Sequence, residues 1–315
     1  MTNAYCTLED VKSSLSGDVP NMGTSHDQSL ANKIMEVSRD IDRKIADCRR
    51  ENEGLWSFLV EQLYGRQKIY LSAPTPTSIL PGSTFQLSFE GEITSSIEVG
   101  AAAADVQTAL EALSTIGSGN VVVTGFDGGP WTVDFAGSLS GPRASLVGSA
   151  IAGVTGSRVV VLPLILGVSV VPSERRFNSE PTLYGLLLPI DDCVEIMDVR
   201  KYDSTGSYAG SLVEGVDYTK YPLRGTPTEA LKSLSDGGWD EWPVTYGVEA
   251  RWGFRDEIPF DVRETAVIEV IRSHFGSLAG MDDRLGMTPF GAVTVAKAFT
   301  SKFKELVHDY GRKLW

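Results

Sequence analysis

Asn120-Val-Val-Val-Thr-Gly-Phe-Asp-Gly-Gly-Pro-Trp-Thr-Val-Asp-Phe135 decides the reading of the chain's middle. Val121, Val122 and Val123 are β-branched and suit a pleated, half-buried surface. Trp131, Val133 and Phe135 alternate with Thr132 and Asp134, the period of a strand with one buried face. Asp127-Gly-Gly-Pro130 between the two runs is turn chemistry, Asp-Gly being a strong hairpin signal. A phosphate-cradling loop would need a following helix and a lysine, and this stretch has neither.

The same β character extends upstream. Phe85-Gln-Leu-Ser-Phe-Glu-Gly-Glu-Ile93 alternates apolar and polar residues and predicts a strand pair or one bent strand. Ala103 to Leu113 predicts a helix, with Val106, Ala109, Leu110 and Leu113 on one side. A further strand is expected near Ala144–Ile151 or Arg158–Leu166. Composition marks this region as separate. Lysine is absent between Lys68 and Lys201, and residues 81–156 carry seven acids against Arg143 alone. The run Ala73-Pro-Thr-Pro-Thr-Ser-Ile-Leu-Pro-Gly82 is linker chemistry. These features predict a small α+β module over 73–158, inserted into a host domain formed by 1–72 and 159–315.

The host's ends read as helical. Thr7-Leu-Glu-Asp10 is a capping box, and Leu8, Val11 and Leu15 share a face. Ser25 is placed to cap a longer helix, with Gln28 at N3, whose stripe is Leu30, Ile34, Val37, Ile41 and Ile45. Residues 51–80 stay ambiguous between helix and satellite cluster, apart from a strand over Gln67–Leu71. Strands are expected over Val159–Val171, Leu183–Leu188, Cys193–Val199, Tyr208–Leu212, Tyr218–Tyr221 and Val244–Trp252. Pro259 and Asp261 announce a helix with Val262, Ala266, Val267, Val270, Ile271 and Phe275 on its stripe. Ser301 is placed to cap a last helix, in which Phe303, Leu306, Val307 and Tyr310 face one way.

Composition bounds the function. The 315 residues are 42% hydrophobic and 22% charged, ordinary for a globular protein, and allow two domains. The longest apolar run, Val159–Leu166, has eight residues and contains Pro163, too short to span a bilayer as a helix. Met1-Thr-Asn-Ala-Tyr5 has neither the basic nor the apolar region of a secretory leader, so a cytoplasmic start is expected. A net charge of −13 argues against wrapping nucleic acid, which needs clustered Lys and Arg. It is compatible with DNA sliding past a negative wall, and equally with simple solubility.

No residue set predicts catalysis, a metal or a cofactor. Cys6, Cys48 and Cys193 lack metal-ligand spacing and read as three buried thiols. Asp191, Asp192 and Glu195 lie on a strand, where adjacent residues face opposite ways and do not converge on one ion. Asp282-Asp283-Arg284 reads as a loop ion pair. His26, His274 and His308 have no nucleophile motif near them. Interaction surfaces are better represented. Trp239 and Trp242 lie in a Gly/Asp/Pro loop that favours use at a subunit interface. Arg251 and Trp252 read equally as an interface anchor and as a core strand. The C-terminal helix, with Phe303, Leu306, Tyr310, Arg312, Lys313, Leu314 and Trp315, reads as a docking element for an acidic groove, or as a helix folded onto its own domain.

Four segments recur in a telling order: Val37-Ser-Arg-Asp-Ile-Asp42, Asp191-Asp-Cys-Val-Glu-Ile196, Val248-Glu-Ala-Arg-Trp-Gly-Phe254 and Ile258-Pro-Phe-Asp-Val-Arg-Glu-Thr-Ala266, followed by the closing helix Phe299–Tyr310. This succession resembles the head-to-tail adaptor (connector) proteins of long-tailed double-stranded DNA bacteriophages, in the form common among actinobacterial phages. The resemblance covers about 1–50 and 175–315. It implies an α+β protomer built on a helical connector domain with a β-hairpin portion. It also implies a ring, twelve-fold by family likeness, assembled in the host cytoplasm and carried at the virion neck. Its partners would be the portal, gripped by the last helix, a stopper or other tail-proximal neck protein, and further copies of itself. DNA would pass through the lumen without sequence-specific contact, and neither membrane nor cofactor is implied. The stretch Phe85-x-Leu-x-Phe89, Val106–Leu113, Val123-Thr-Gly and Trp131-x-Val-x-Phe-x-Gly137 resembles a small module recurring in structural proteins of such phages. An alternative makes that module the working end, binding glycan or a capsid surface.

Overall fold

The computed structural model describes residues 3–15, 26–49, 58, 65–73, 82–141, 143–165, 173–178, 186–223, 227–240, 243–255, 257–278, 286–288, 291–293 and 301–311. Three hydrophobic cores organise them.

The first core is helical on one side. It gathers α1 (Leu8–Leu15), α2 (Asp27–Arg49), α4 (Phe260–Leu278) and α5 (Ser301–Tyr310). Leu30, Ile34, Val37, Ile41 and Ile45 of α2 are buried against Val262, Ala266 and Val270 of α4 and Phe303 and Leu306 of α5. Each of these side chains larger than alanine contributes about 1.5–3 kcal/mol on burial. The capping box of α1 forms as its sequence requires: the Thr7 N–H donates to Asp10 Oδ2 at 2.8 Å and the Asp10 N–H to Thr7 Oγ1 at 3.2 Å. Ser25, the expected cap of α2, lies outside the described residues. α4 begins at Phe260, so Asp261 sits inside its first turn.

The floor beneath these helices is a sheet of order β6-β7-β1-β9: β1 (Arg66–Ser72), β6 (Val121–Gly125), β7 (Trp131–Phe135) and β9 (Arg158–Ile165). β1 and β9 pair antiparallel, ending at Ser72↔Arg158, so residues 73–157 leave and return through one strand pair. Tyr70, Val160 and Leu162 face the helices; Ile69 and Val159 face the second core. Lys68 and Tyr70 both reach Glu9 of α1, at 2.6 and 2.7 Å, and hold its carboxyl below the usual range against the cost of burial.

The second core is roofed by α3 (Ala103–Glu111) and by five short strands: β2 (Thr84–Phe85), β3 (Leu87–Phe89), β4 (Glu92–Ile93), β5 (Ile97–Glu98) and β8 (Val147–Gly148). Trp131 stacks on Phe85 and Phe89 on Phe135, with centroids 5.6 and 5.3 Å apart. The loop joining β6 and β7 turns at Gly128 and Gly129, both at positive φ. The open edge of β6 is covered by α3, where Gln107 Oε1 accepts the Val123 N–H at 3.1 Å.

The third core is all β. A six-stranded antiparallel sheet runs β10-β15-β11-β14-β13, with β12 beside the far half of β11. Its strands are β10 (Glu174–Asn178), β11 (Leu187–Tyr202), β12 (Tyr208–Leu212), β13 (Tyr218–Tyr221), β14 (Thr228–Ser233) and β15 (Thr245–Trp252). One face buries Leu188, Val199, Leu231, Tyr246, Val248 and Trp252. The other carries a charge network. Arg200 bonds Glu174 at 2.9 Å, Asp198 at 2.7 Å and Glu249 at 2.6 Å, while Arg176 stacks 4.0 Å above the Tyr202 ring. Two more strands, β16 (Gly286–Thr288) and β17 (Gly291–Val293), pair with each other.

The expected helical connector domain is corrected by this architecture. The described residues form seventeen strands in five sheets and five α-helices, an α+β protein in which strands predominate. Helices supply one side of the first core, and α3 alone packs on the second. Strands between residues 174 and 252 form the largest sheet, because their period-two pattern, and not the resemblance, governs how they bury their side chains.

Candidate functional site

The segments that carried the resemblance meet at one place, joined through Tyr5, Phe58 and the end of β15. Ser38 Oγ accepts the Tyr5 N–H at 3.1 Å. The Tyr5 hydroxyl donates to Asp42 and accepts the Phe58 N–H at 3.0 Å. The Phe58 carbonyl accepts the Arg255 N–H at 2.9 Å. Phe58, Phe254 and Tyr310 pack edge to face, with centroids 4.9–5.7 Å apart. The Tyr310 hydroxyl donates to both Asp261 oxygens, at 3.1 and 3.0 Å, and burial and that carboxylate push the phenol up to about 12. On the sheet side, Cys193 lies opposite Trp252 and Glu195 opposite Arg251, and the Gly253 N–H bonds the Asp192 carbonyl.

A groove of about 590 Å³ opens beside this junction, lined by Val194, Arg255, Glu257, Ile258, Pro259, Phe260 and Arg263. Local sequence explains it. Gly253 ends β15, and Ile258-Pro259 then carries the chain into α4 with Phe260 left 76% exposed. The chemistry is that of a contact surface: two guanidiniums, one carboxylate and an apolar floor.

Burial tunes the groups behind the groove. Asp42 is pushed well above the ordinary carboxylate range by desolvation, against the Tyr5 hydrogen bond, and its Oδ2 has no hydrogen-bond partner among the described residues. The Cys6 thiol is raised to about 12 by burial and by Asp10, and Cys193 to about 12 by burial and by Asp192, so both are inert. Cys48 is exposed, contrary to the reading of three buried thiols. Asp191 pairs with Arg175 at 2.7 Å and Glu195 with Arg251 at 3.4 Å, so the acids of that strand are used separately.

Trp239 is 7% exposed, its indole N–H shared by the Leu186 and Leu231 carbonyls at 2.9 and 3.2 Å. Its loop folds back onto the sheet, so the ring is used inside the protomer. Trp252 is buried in the third core, bonds the Ser173 carbonyl and lies 4.4 Å beneath Arg175. Arg251 is half-buried, pairs with Glu195 and does not line the groove. Phe303 and Leu306 are buried in the helical core, so the apolar face of α5 is spent within the chain. Trp242, Arg312, Lys313, Leu314 and Trp315 lie outside the described residues. Trp131, Phe85 and Phe89 are buried in the module. Arg255, Phe260 and Arg263 were not singled out from sequence; an apolar Ile-Pro-Phe run just before a helix was the signal available.

No helix among the described residues is long and apolar enough to cross a membrane. No family model matches the chain, and no curated protein matches it. Among solved structures, a chain titled "Mycobacterium phage Patience" aligns at 13% identity over 57% of this chain and 58% of its own length, with a TM-score of 0.24. A likeness at that level transfers neither fold nor function.

Proposed function

We propose that this chain is a structural protein of a tailed bacteriophage particle, a head-to-tail adaptor. Several copies ring the outer end of the portal, join it to a stopper or other tail-proximal neck protein, and leave a lumen through which DNA passes. The single observation that carries the reading is convergence. Ser38–Asp42, Asp191–Ile196, Arg251–Phe254, Ile258–Ala266 and Tyr310 are far apart in sequence, yet they are joined through Tyr5, Phe58 and the end of β15, beside an exposed groove to which Val194, Ile258, Pro259, Phe260 and Arg263 contribute. The charge of −13 suits a surface past which DNA slides rather than sticks. No bond-making step is part of this reading.

The test is location. An antibody to the purified chain, applied to intact particles and viewed by electron microscopy, should label the junction of head and tail. Label confined to capsid faces or tail tip, or no label on particles at all, would refute the adaptor role.

A further inference from the structure

The groove at the start of α4 has a counterpart on the same chain. The turn between β12 and β13, Val213-Glu-Gly-Val-Asp217, presents Val213 at 57% and Val216 at 69% exposure, with Glu214 between them. It is locked in place. The Asp217 carboxylate accepts the Val213 N–H at 2.8 Å, the Asp217 N–H bonds the Val213 carbonyl at 2.9 Å, and the Gly215 N–H bonds the Tyr218 carbonyl at 2.8 Å. Gly215 takes a positive φ of 82°, which a side chain would resist. A turn already held in shape loses little entropy on docking. Neither valine lines the groove of its own chain.

The two surfaces are complementary. The turn offers two small apolar side chains flanked by Glu214 and Asp217, with Lys220 opposing Glu214 at 2.9 Å. The groove offers Val194, Ile258, Pro259 and Phe260 flanked by Arg255 and Arg263. Neither guanidinium has an ion-pair partner among the described residues, which is unusual in a chain with 41 acids and 28 bases. Glu257 opposes them, and the N-terminus of α4 adds a partial positive charge. We infer that the β12–β13 turn of one copy docks in the α4 groove of a second copy, a head-to-tail contact. Such a contact uses two different surfaces and so repeats from copy to copy, closing a ring if the rotation allows. This inference rests on the self-assembly part of the proposed function and names the surfaces that part requires.

The experiment is charge reversal in the full chain, followed by sedimentation equilibrium. The wild type should associate with rising concentration, more weakly at high salt. Arg255→Glu with Arg263→Glu, and separately Glu214→Arg, should each weaken association at least tenfold. Combining Arg255→Glu, Arg263→Glu and Glu214→Arg in one chain should restore it, since every interface then pairs a reversed turn with a reversed groove. All these positions are exposed, so circular dichroism and melting temperature should stay unchanged and exclude misfolding. Association that ignores the reversals overturns this contact while leaving the adaptor reading intact. A chain monomeric to its solubility limit also overturns it, and particle labelling then decides the adaptor reading by itself.

Discussion

Replacing Trp131 tests the second core and one of its oddities together. The indole is fully buried, stacked on Phe85, in a strand that pairs with β1 at Ile69. A buried Trp removes about 150–250 Å² from water, and at about 25 cal/mol/Å² that is roughly 4–6 kcal/mol. Measured large-to-small changes of this kind cost about 3–5 kcal/mol, because the cavity relaxes only in part. Trp131→Ala should therefore lower stability by about 4 kcal/mol, read from urea denaturation followed by circular dichroism. The oddity is that Trp131 Nε1 is buried with no acceptor among the described residues. An unmet donor costs about 1–3 kcal/mol, so removing it returns part of what the smaller ring loses. Trp131→Phe, which keeps an aromatic ring against Phe85 and removes the unmet donor, should then cost clearly less than Trp131→Ala, about 1–2 kcal/mol. If Phe costs as much as Ala, the indole N–H has a partner and the reasoning is wrong.

Gly247 admits the charge network: a Cβ there would lie 2.5 Å from the Glu174 carboxyl and 2.8 Å from the Tyr202 ring, so Gly247→Ala should cost about 1–3 kcal/mol in denaturant midpoint as the network splays. His274 is held below its ordinary pKa by burial and by His26 and Lys33, with the His26 ring 5.4 Å away. Its neutral form is the one the fold favours, so stability should be full above about 6.5 and fall as pH drops below it. His274→Gln should flatten that fall in a melting series from neutral to acid pH. Asp42 has the opposite sign: its pKa is raised, so its contribution is present at low pH and lost as pH rises through the folded value. Asp42→Asn, which keeps an oxygen for the Tyr5 hydroxyl, should gain on wild type as pH increases, and a difference constant with pH would count against this account.

Much of the architecture was legible because its signals are local. The stripe of α2 and the alternation of β7 each follow from one element burying one face. Two strands of the largest sheet were not legible. Thr228-Glu-Ala-Leu-Lys-Ser233 is rich in helix formers, yet it is buried at every position but Lys232, because β11 and β13 flank it. Glu174-Arg-Arg-Phe-Asn178 carries no strand alternation of apolar residues, and is a strand in the fold, where Arg200, Tyr202 and Asp191 engage its charges. The break expected at Asp191-Asp192 is absent because β11 bulges there and Arg175 pairs with Asp191. The site was half legible. Arg251 and Trp252 drew attention, while Arg255 and Arg263 gain meaning only when the fold places them beside one groove.

The β1–β9 pair sets what can be removed from this protein. Ile69 lies opposite Val161, and Leu71 opposite Val159, all on the module side; Tyr70, Val160 and Leu162 occupy the helix side. One strand pair therefore serves two cores. Joining Ser72 to Arg158 through Asn-Gly deletes the module with a turn suited to a two-residue hairpin. That deletion uncovers the four apolar side chains, forfeiting roughly 6–12 kcal/mol of burial at about 1.5–3 each, and bares the edge of β1 that β7 had covered. The plain deletion should aggregate or bind a hydrophobic dye, while the same deletion carrying Thr at positions 69, 71, 159 and 161 should stay monodisperse with its helices intact. A plain deletion as soluble and dye-silent as the full chain would mean that the stem face is covered by something other than the module.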